Sequence, residues 1–476
     1  MPGAPGGVVT LQVGQCGNQL GTSLYGALGD EITRACGGGG RAGQAYGAEV
    51  VQAWFRPPRR GTRGEADAKV RARAVLVDME PKVVREAVRA SKKAQGWQFD
   101  ENRVFSMQGG SGNNWARGYK QYGERVRDRV LNLVRRELED CDRHTGFLVT
   151  QSLAGGTGAG LGAYLGEALR DEYSYANILN YCVWPYETGE VIVQSYNTVL
   201  SLASLLEHSD GVVLAANSEL HKICQKRMNI PRPSFTDMNA AAAKALASVL
   251  LPTDGPQGRR EGAGGDAAVG GGGGAFGGFG GFEEEAKPGA LTDICQHLCR
   301  HPGYKLLSLR SLPQVPAGVS EFGTFNWASI LKWLRQMSIT GWQTDEGMDW
   351  SVSAPHSTGS WPCGKSIANY LVLRGKGAAG VDTSLFRDSK LYSARATDPL
   401  RVATSQTSFF QHEAAASLLS NCQTCVGPAS RMLERAELML QAGAYVHQYE
   451  KCGLERTDFR EAFAAVGGAI GRYAAL

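Results

Sequence analysis

A chain of 476 residues with 43% hydrophobic and 20% charged residues has an ordinary globular composition and enough length for two or three cored domains. A formal net charge of +4, spread along the chain, argues against a nucleic-acid partner. No apolar run approaches the roughly eighteen residues of a membrane span, and Met1 to Val8 lacks the basic start and apolar core of a signal peptide. The expected setting is the cytoplasm, with the 11 cysteines reduced. Cys422-Gln-Thr-Cys425 and Cys295-Gln-His-Leu-Cys299 raise a zinc reading. The second pair has the wrong gap for a zinc ribbon, so buried free thiols are expected instead.

Taken in order, Val8 to Val13 reads as a buried strand, which Gly14-Gln15-Cys16-Gly17-Asn18-Gln19 turns into a helix. From about Cys36 to Arg71 the chain reads as surface loop, with a short strand near Glu49 to Phe55. Ala72 to Asp78 is a strand, and the acids Asp78 and Glu80 close it before Pro81. Ligands of open α/β sheets bind beyond such carboxyl ends. The competing role of the two acids is to cap and open the helix that starts at Pro81. Gln108 to Ala116, containing Gly112-Asn113-Asn114-Trp115, is a further glycine-rich turn before a helix.

The central stretch follows: an apolar strand from Gly146 to Gln151, then Ser152-Leu153-Ala154-Gly155-Gly156-Thr157-Gly158-Ala159-Gly160-Leu161-Gly162, then a helix from Ala163 to Arg170. Strand, glycine-rich turn and helix together aim backbone N–H groups and a helix's positive end at a phosphate. The loop holds no lysine, which excludes the Walker pattern. Gly158-Ala-Gly160-Leu-Gly162-Ala163 leaves a loose dinucleotide fingerprint open, and close helix–strand packing is a third use for such glycines. Further strands from Ile178 to Pro185 and from Asp210 to Ala215 flank a helix from Val191 to Glu207, with Tyr186 to Glu190 as a turn and Asn217 at the last strand end. The alternation predicts an α/β fold with a doubly wound parallel sheet. Five strand ends bearing Gly, Asn, Gln or acidic residues on one sheet edge describe a wrapped ligand.

Phe235-Thr-Asp237-Met-Asn239 opens an alanine-rich helix that ends near Leu251. Residues 254–288, with a glycine tract between Val269 and Phe282, are expected to be a disordered insertion. A short helix over Gly289 to Pro302, a strand over Leu306 to Arg310, a helix over Phe325 to Leu334 and a strand over Ser366 to Arg374 suggest a smaller mixed α/β domain. From His412 the chain is expected to be helical, over Pro428 to Ala442 and Asp458 to Tyr473. The expected division is therefore a nucleotide-binding domain (1–235), a core helix (236–253), the insertion (254–288), a second domain (289–411) and a C-terminal helical region (412–476).

In six segments the sequence resembles the tubulins: Gly14 to Gln19, Val77-Asp-Met-Glu-Pro81, Gly112 to Ala116, Ala154 to Gly160, Tyr196-Asn197 and Tyr445-Val-His-Gln-Tyr449. They stand in the family's order over nearly the whole chain outside the insertion. The segments Ala74 to Val83, Trp184 to Gln194, His221 to Cys224 and Met228 to Ile230 resemble the delta branch of that family. The resemblance implies GTP or GDP with Mg²⁺. Its phosphates would meet Ser152, Ala154, Gly155, Gly156, Thr157, Gly158, Ala159 and Gly160, with Gln15 and Cys16 against them. Glu80 would hold the metal through water with Asp78 supporting that shell, and Asn113 and Glu190 would lie near ribose or phosphates. Asn217 and Asn239 would read guanine's mixed edge, and Phe235 would stack on the base.

Three departures from the family pattern stand out. Ala154 replaces the usual first glycine, and Gln194 stands where many members carry a ribose-binding Glu. Asp293 matches the acid that enters the neighbouring subunit's GTP site in polymerising tubulins and orients the attacking water, while a second family acid is here Ala290. The alternative role of Asp293 is a first-turn acid of its helix. Implied partners are other tubulins, met head to tail or laterally, and centriolar or basal-body proteins in the cytoskeleton. The chain closes on Gly471 to Leu476 without an acidic tail, so an ordinary microtubule track is not expected. Two other readings stay open: a GTP-bound structural switch or cap that does not hydrolyse, and a dinucleotide-dependent oxidoreductase. Against the latter, Val183-Trp184-Pro185 stands where its ribose acid belongs.

Overall fold

The central strands are apolar throughout because helices cover both of their faces. In β1 (Gly7–Val13) the side chains of Val9, Leu11 and Val13 enter one core while Val8 enters the other. The same alternation recurs at Val75, Leu76 and Val77 and at Phe147, Leu148 and Val149. The computed structural model describes residues 6–37, 40–57, 69–189, 191–254, 290–316, 325–345, 347–348, 350–352 and 364–476. Glu190 and all but Asp254 of the expected insertion lie outside them.

β1 leads straight into α1 (Gly14–Gly37). Then come α2 (Arg41–Trp54), β2 (Phe55–Arg56), β3 (Val70–Ala72), β4 (Ala74–Asp78), α3 (Pro81–Lys93), β5 (Trp97–Gln98) and β6 (Val104–Ser106). A π-type turn, Arg117–Tyr122, opens α4 (Gly123–Glu139). β7 (His144–Ser152), a second π-type turn at Thr157–Leu161, α5 (Gly162–Glu172), β8 (Ile178–Trp184), α6 (Gln194–His208), β9 (Gly211–Ala216) and α7 (Asn217–Lys222) complete the first part. β9, β8, β7, β1, β4 and β6 are parallel neighbours in that order, so their carboxyl ends share one edge.

The long α8 (Phe235–Leu250) lies between this part and the next. The second part comprises α9 (Ala290–Leu298), β10 (Leu306–Leu312), α10 (Trp327–Thr340), β11 (Ser366–Gly375), β12 (Leu400–Ser405) and β13 (Ala414–Cys422). β10 joins the first sheet through two parallel pairs, Leu306–Val212 and Leu307–Val213, which makes one sheet of ten strands. β13 runs antiparallel between β10 and β11. α11 (Val426–Gln441), α12 (Val446–Glu450) and α13 (Arg456–Ala474) follow, and residues of α11 and α13 share a core with α6.

Two local expectations are corrected. Residues 41–54 form a helix rather than loop and strand. Tyr46, Val50, Ala53 and Trp54 recur at helical spacing and bury one face in the core that also holds Leu20, Leu24 and Leu28 of α1. The helical stretch expected from His412 instead begins with β13, whose nine residues are all buried. Its alanines and serines fit a strand covered on both faces, where small side chains let helices approach.

α8 ends against an arginine. Arg374 of β11 is 2% exposed, and its guanidinium donates to three carbonyls at the C-terminal end of that helix: Ser248 at 2.7 Å, Leu251 at 2.5 Å and Pro252 at 2.9 Å. These groups would otherwise be buried without donors, and a cation there also complements the helix dipole. Arg374→Met should therefore destabilise the fold by on the order of 3 kcal/mol, because apolar bulk replaces the fork and leaves the carbonyls unpaired. Denaturant unfolding of the two proteins checks this. A difference under about 1 kcal/mol would show that water takes over the three bonds.

Candidate functional site

Five turns meet at the shared carboxyl edge. The first joins β1 to α1. Gly14 has φ +74°, and a Cβ there would stand 2.8 Å from the Gly158 nitrogen, so only glycine lets this turn lie against the central loop. Asn18 Nδ2 donates to the Gly14 carbonyl (2.9 Å) and to the Val77 carbonyl (3.1 Å), which ties the turn to the end of β4. Gln15 is exposed and Cys16 half-buried on this turn. Burial pushes the Cys16 thiol up to about 12, so it stays neutral.

The central loop starts at Ser152, whose Oγ accepts from the Ala154 N–H at 3.2 Å. Ala154, Gly155 and Thr157 are half-buried, and Gly156, Gly158, Ala159 and Gly160 are buried. A Cβ at Gly160 would fall 2.1 Å from the Trp115 carbonyl oxygen, so the loop and the 108–116 turn pack backbone on backbone. Thr157 Oγ1 and Ser111 Oγ lie 2.8 Å apart across the same seam. Asn113, exposed and at φ +53°, sits at the tip of that turn.

Asn197 of α6 locks the arrangement. It is fully buried, and its Nδ2 donates to the carbonyls of Asn113 (2.8 Å) and Ala154 (2.7 Å). Its Oδ1 accepts from the Trp115 N–H (3.0 Å) and from the Tyr449 hydroxyl (2.6 Å). Asn114 Nδ2 adds a bond to the Gln448 carbonyl at 3.2 Å. Asn197, Asn114 and Tyr449 were not among the site residues expected from the sequence. Two of the family segments contained Asn197 and Tyr449, but nothing local to either segment says that they touch.

The acids at the end of β4 differ from each other. Asp78 is 3% exposed; one oxygen accepts from the Glu80 N–H at 3.2 Å, and Oδ2 is buried without a partner among the described residues. Burial raises its carboxyl to about 6. Glu80 is exposed at the N-cap of α3 ahead of Pro81, but its side chain makes no capping bond. Neither carboxylate caps α3, and the bond to Asp78 comes from the N–H of the N-cap residue itself. A buried carboxylate with a spare oxygen beside an exposed one suits a hard cation that keeps its own waters. Among the described residues no group of three or more His, Cys, Asp or Glu is placed to hold a metal ion. Among the described residues no cysteine is in a disulfide; Cys295 lies in the core around α9, and Cys425 packs against the one under α11.

On the opposite side of the edge, Asn217 is half-buried at the start of α7. Phe235 opens α8 behind a Ser234–Asp237 capping box and is 54% exposed, which is unusual for so large an apolar ring at a well-formed helix start. Asn239 follows about one turn later and is buried. Gln194 is 6% exposed and donates to the Tyr186 carbonyl at 2.7 Å, bracing the 186–189 turn from inside. Arg431 and Arg435 of α11 hold the same turn from outside, through the Glu187 carboxylate (2.7 Å) and carbonyl (2.5 Å). Glu190 lies outside the described residues. Asp293 stands apart from this edge: it lies in the first turn of α9, is 7% exposed, and accepts from Arg401 Nη2 at 3.0 Å. Burial raises its carboxyl while Arg401 lowers it.

Comparison with known proteins identifies a family. The Tubulin/FtsZ family, GTPase domain, matches residues 7–225. The chain is 37% identical to the mouse tubulin delta chain over 485 residues, covering 98% of this chain and 99% of that one. It is 36% identical to the human tubulin delta chain, at 98% and 100% coverage. A tubulin beta chain from Trichophyton rubrum is 36% identical over 244 residues, 51% of this chain. Among the described residues no helix is long and apolar enough to cross a membrane.

Asn197→Leu keeps the volume of the hub and deletes its four hydrogen bonds. It should cost roughly 2–4 kcal/mol of stability and loosen both turns at once, so nucleotide affinity should fall at least about tenfold. Equilibrium unfolding and nucleotide titration of the purified variant check this, and unchanged affinity would remove Asn197 from the site's architecture.

Proposed function

The chain belongs to the tubulin family, and from that premise we propose that it is a GTP-binding cytoskeletal subunit of the delta type, acting in centriolar and basal-body microtubules. The supporting observation is the shared carboxyl edge, where a lysine-free glycine loop, a buried carboxylate with a spare oxygen and an exposed ring at a helix start converge. In this reading the loop from Ser152 to Gly160, with Gln15 and Cys16, receives the phosphates of GTP or GDP. Glu80 and Asp78 would hold the waters of Mg²⁺, which would supply positive charge that the lysine-free loop lacks. Asn217 and Asn239 read the guanine edge, Phe235 stacks on the base, and Asn113, Glu190 and Gln194 flank the sugar and phosphates. Gln194 would reach the sugar only by loosening its bond to the Tyr186 carbonyl. The 1–235, 236–253, 289–411 and 412–476 division is kept as the working domain plan, with β13 joining the second domain's sheet.

Other tubulin subunits are the proposed partners. Asp293 lies in the first turn of a helix of the second part, away from the phosphate loops, so its proposed role is to act on the nucleotide of the next subunit in a head-to-tail contact, orienting the water that attacks GTP. A second reading, a GTP-bound switch or cap that does not hydrolyse, draws on the burial of Asp293 and its pairing with Arg401. Turnover measured against protein concentration, for the unmutated chain and Asp293→Ala, separates the two. Concentration-dependent turnover lost in the variant supports the trans site, and GTP retained unhydrolysed in every assembly supports the cap.

The base assignment predicts competition in favour of guanine. The unmutated chain should bind GTP well ahead of ATP, and Asn239→Asp should erode that preference by about tenfold, since a carboxylate cannot donate to the base. Competition binding with both nucleotides decides it. Equal affinity of the unmutated chain for ATP would refute the site.

A further inference from the structure

The loops proposed to hold the phosphates are poor in positive charge. Residues 152–162 contain no lysine or arginine, nor do the turns at 14–19 and 108–116, and Arg117, the first cation after the last of these, has its guanidinium beside Gly112 and over the Tyr122 ring. A strand beside the helix proposed to meet those phosphates from the next subunit does carry a cation. Arg401 of β12 donates to Asp293 at 3.0 Å, and of the two side chains the guanidinium is the more open, 25% exposed against 10%. Asp293 takes one of the five guanidinium donors, and Nε is buried without a partner among the described residues. The pair is held in place by its surroundings. Arg300 and Asp398 make a second ion pair at 3.0 Å, with acid and base exchanged between α9 and the chain entering β12, and His297 Nε2 lies 3.0 Å from the Asn369 carbonyl.

We propose that Arg401 is the group that touches the γ-phosphate of the neighbouring subunit's GTP, with Asp293 behind it orienting both guanidinium and water. This rests on the trans-hydrolysis reading above. In the step, the water oxygen bonds to the γ-phosphorus. The bond from that phosphorus to the β–γ bridging oxygen breaks, and its electron pair leaves with GDP. One water proton stays on the released phosphate, and the other is shed to solvent by way of the Asp293 carboxylate. Charge accumulates on the γ-phosphate and bridging oxygens as the bond breaks, and a planar fork brought in by a neighbour neutralises it there. The subunit is then silent when alone, because its own Arg401 lies away from its own nucleotide.

The test measures GTP turnover over rising concentrations of the full chain, alone and with other tubulin subunits added, for the unmutated protein, Asp293→Ala, Arg401→Gln and Arg401→Lys. Arg401→Gln should lose assembly-dependent turnover by on the order of a thousandfold, and Arg401→Lys should recover part of it, as expected for charge brought in by a neighbour. GTP affinity of the isolated chain should be unchanged in both. A second readout does not depend on turnover: GDP with aluminium fluoride, which imitates the phosphoryl group in flight, should stabilise assemblies of the unmutated chain and not those of Arg401→Gln. Melting temperatures identify any variant that fails to fold, in which case Arg401→Lys carries the comparison. If Asp293→Ala abolishes turnover while the Arg401 variants keep both turnover and the fluoride effect, the role of Arg401 is overturned and the trans site stands. If turnover does not depend on concentration in any mixture, or is unchanged in Asp293→Ala, the trans reading fails and takes Arg401 with it.

Discussion

A single buried amide decides whether the carboxyl edge is a site or a set of loose turns. Asparagine offers two donors and two lone pairs, and Asn197 uses all four: two loop carbonyls, one loop N–H and one tyrosine hydroxyl. Each bond is modest in isolation. Their joint effect is larger, because three of them fix backbone beside glycines that would otherwise leave it free and none can be replaced by water in a site with no exposure. The glycines permit the close approach of loop to loop, and the amide makes it unique. That division of labour explains how a loop with so few side chains can hold one shape.

The same hub connects the edge to the end of the chain. Tyr449, which supplies the fourth bond, packs edge-on against Tyr196 and Phe459, so α6, α12 and α13 share one aromatic cluster. Arg431 and Arg435 hold the 186–189 turn to α11 from the solvent side. The C-terminal helices thus form the outer wall of the shared carboxyl edge. α8 plays the corresponding part within. Its first turn presents Phe235 and Asn239, and its last is fixed by Arg374 and by the 2.6 Å contact of Ser248 with Ser417 of β13. A displacement of either sheet part is therefore felt along this one helix.

Much of this was legible in the residues. Alternating apolar strands, glycine-rich turns and amphipathic helices gave the doubly wound sheet, and the order of the motifs gave the family. The misreadings share a cause. Residues 41–54 contain two glycines, with Arg41 at one end and Arg56 just beyond the other, so composition spoke for loop, while the helical spacing of Tyr46, Val50 and Trp54 becomes decisive only once α1 offers a surface to cover. β13 reads as helix by its alanines and leucines, and its place between β10 and β11 overrides that propensity.

The sequence by itself determined the positions of the strand ends, the chemistry available at each and the absence of a lysine from the central loop, because these depend on local pattern and on residue identity. Only the tertiary structure decided which of those residues meet. The bond from Tyr449 to Asn197 spans 252 positions and that from Arg401 to Asp293 spans 108, and no local periodicity encodes such pairings. They arise when separate apolar faces are buried together, and the polar groups carried along with those faces must then find partners or stay uncompensated away from water.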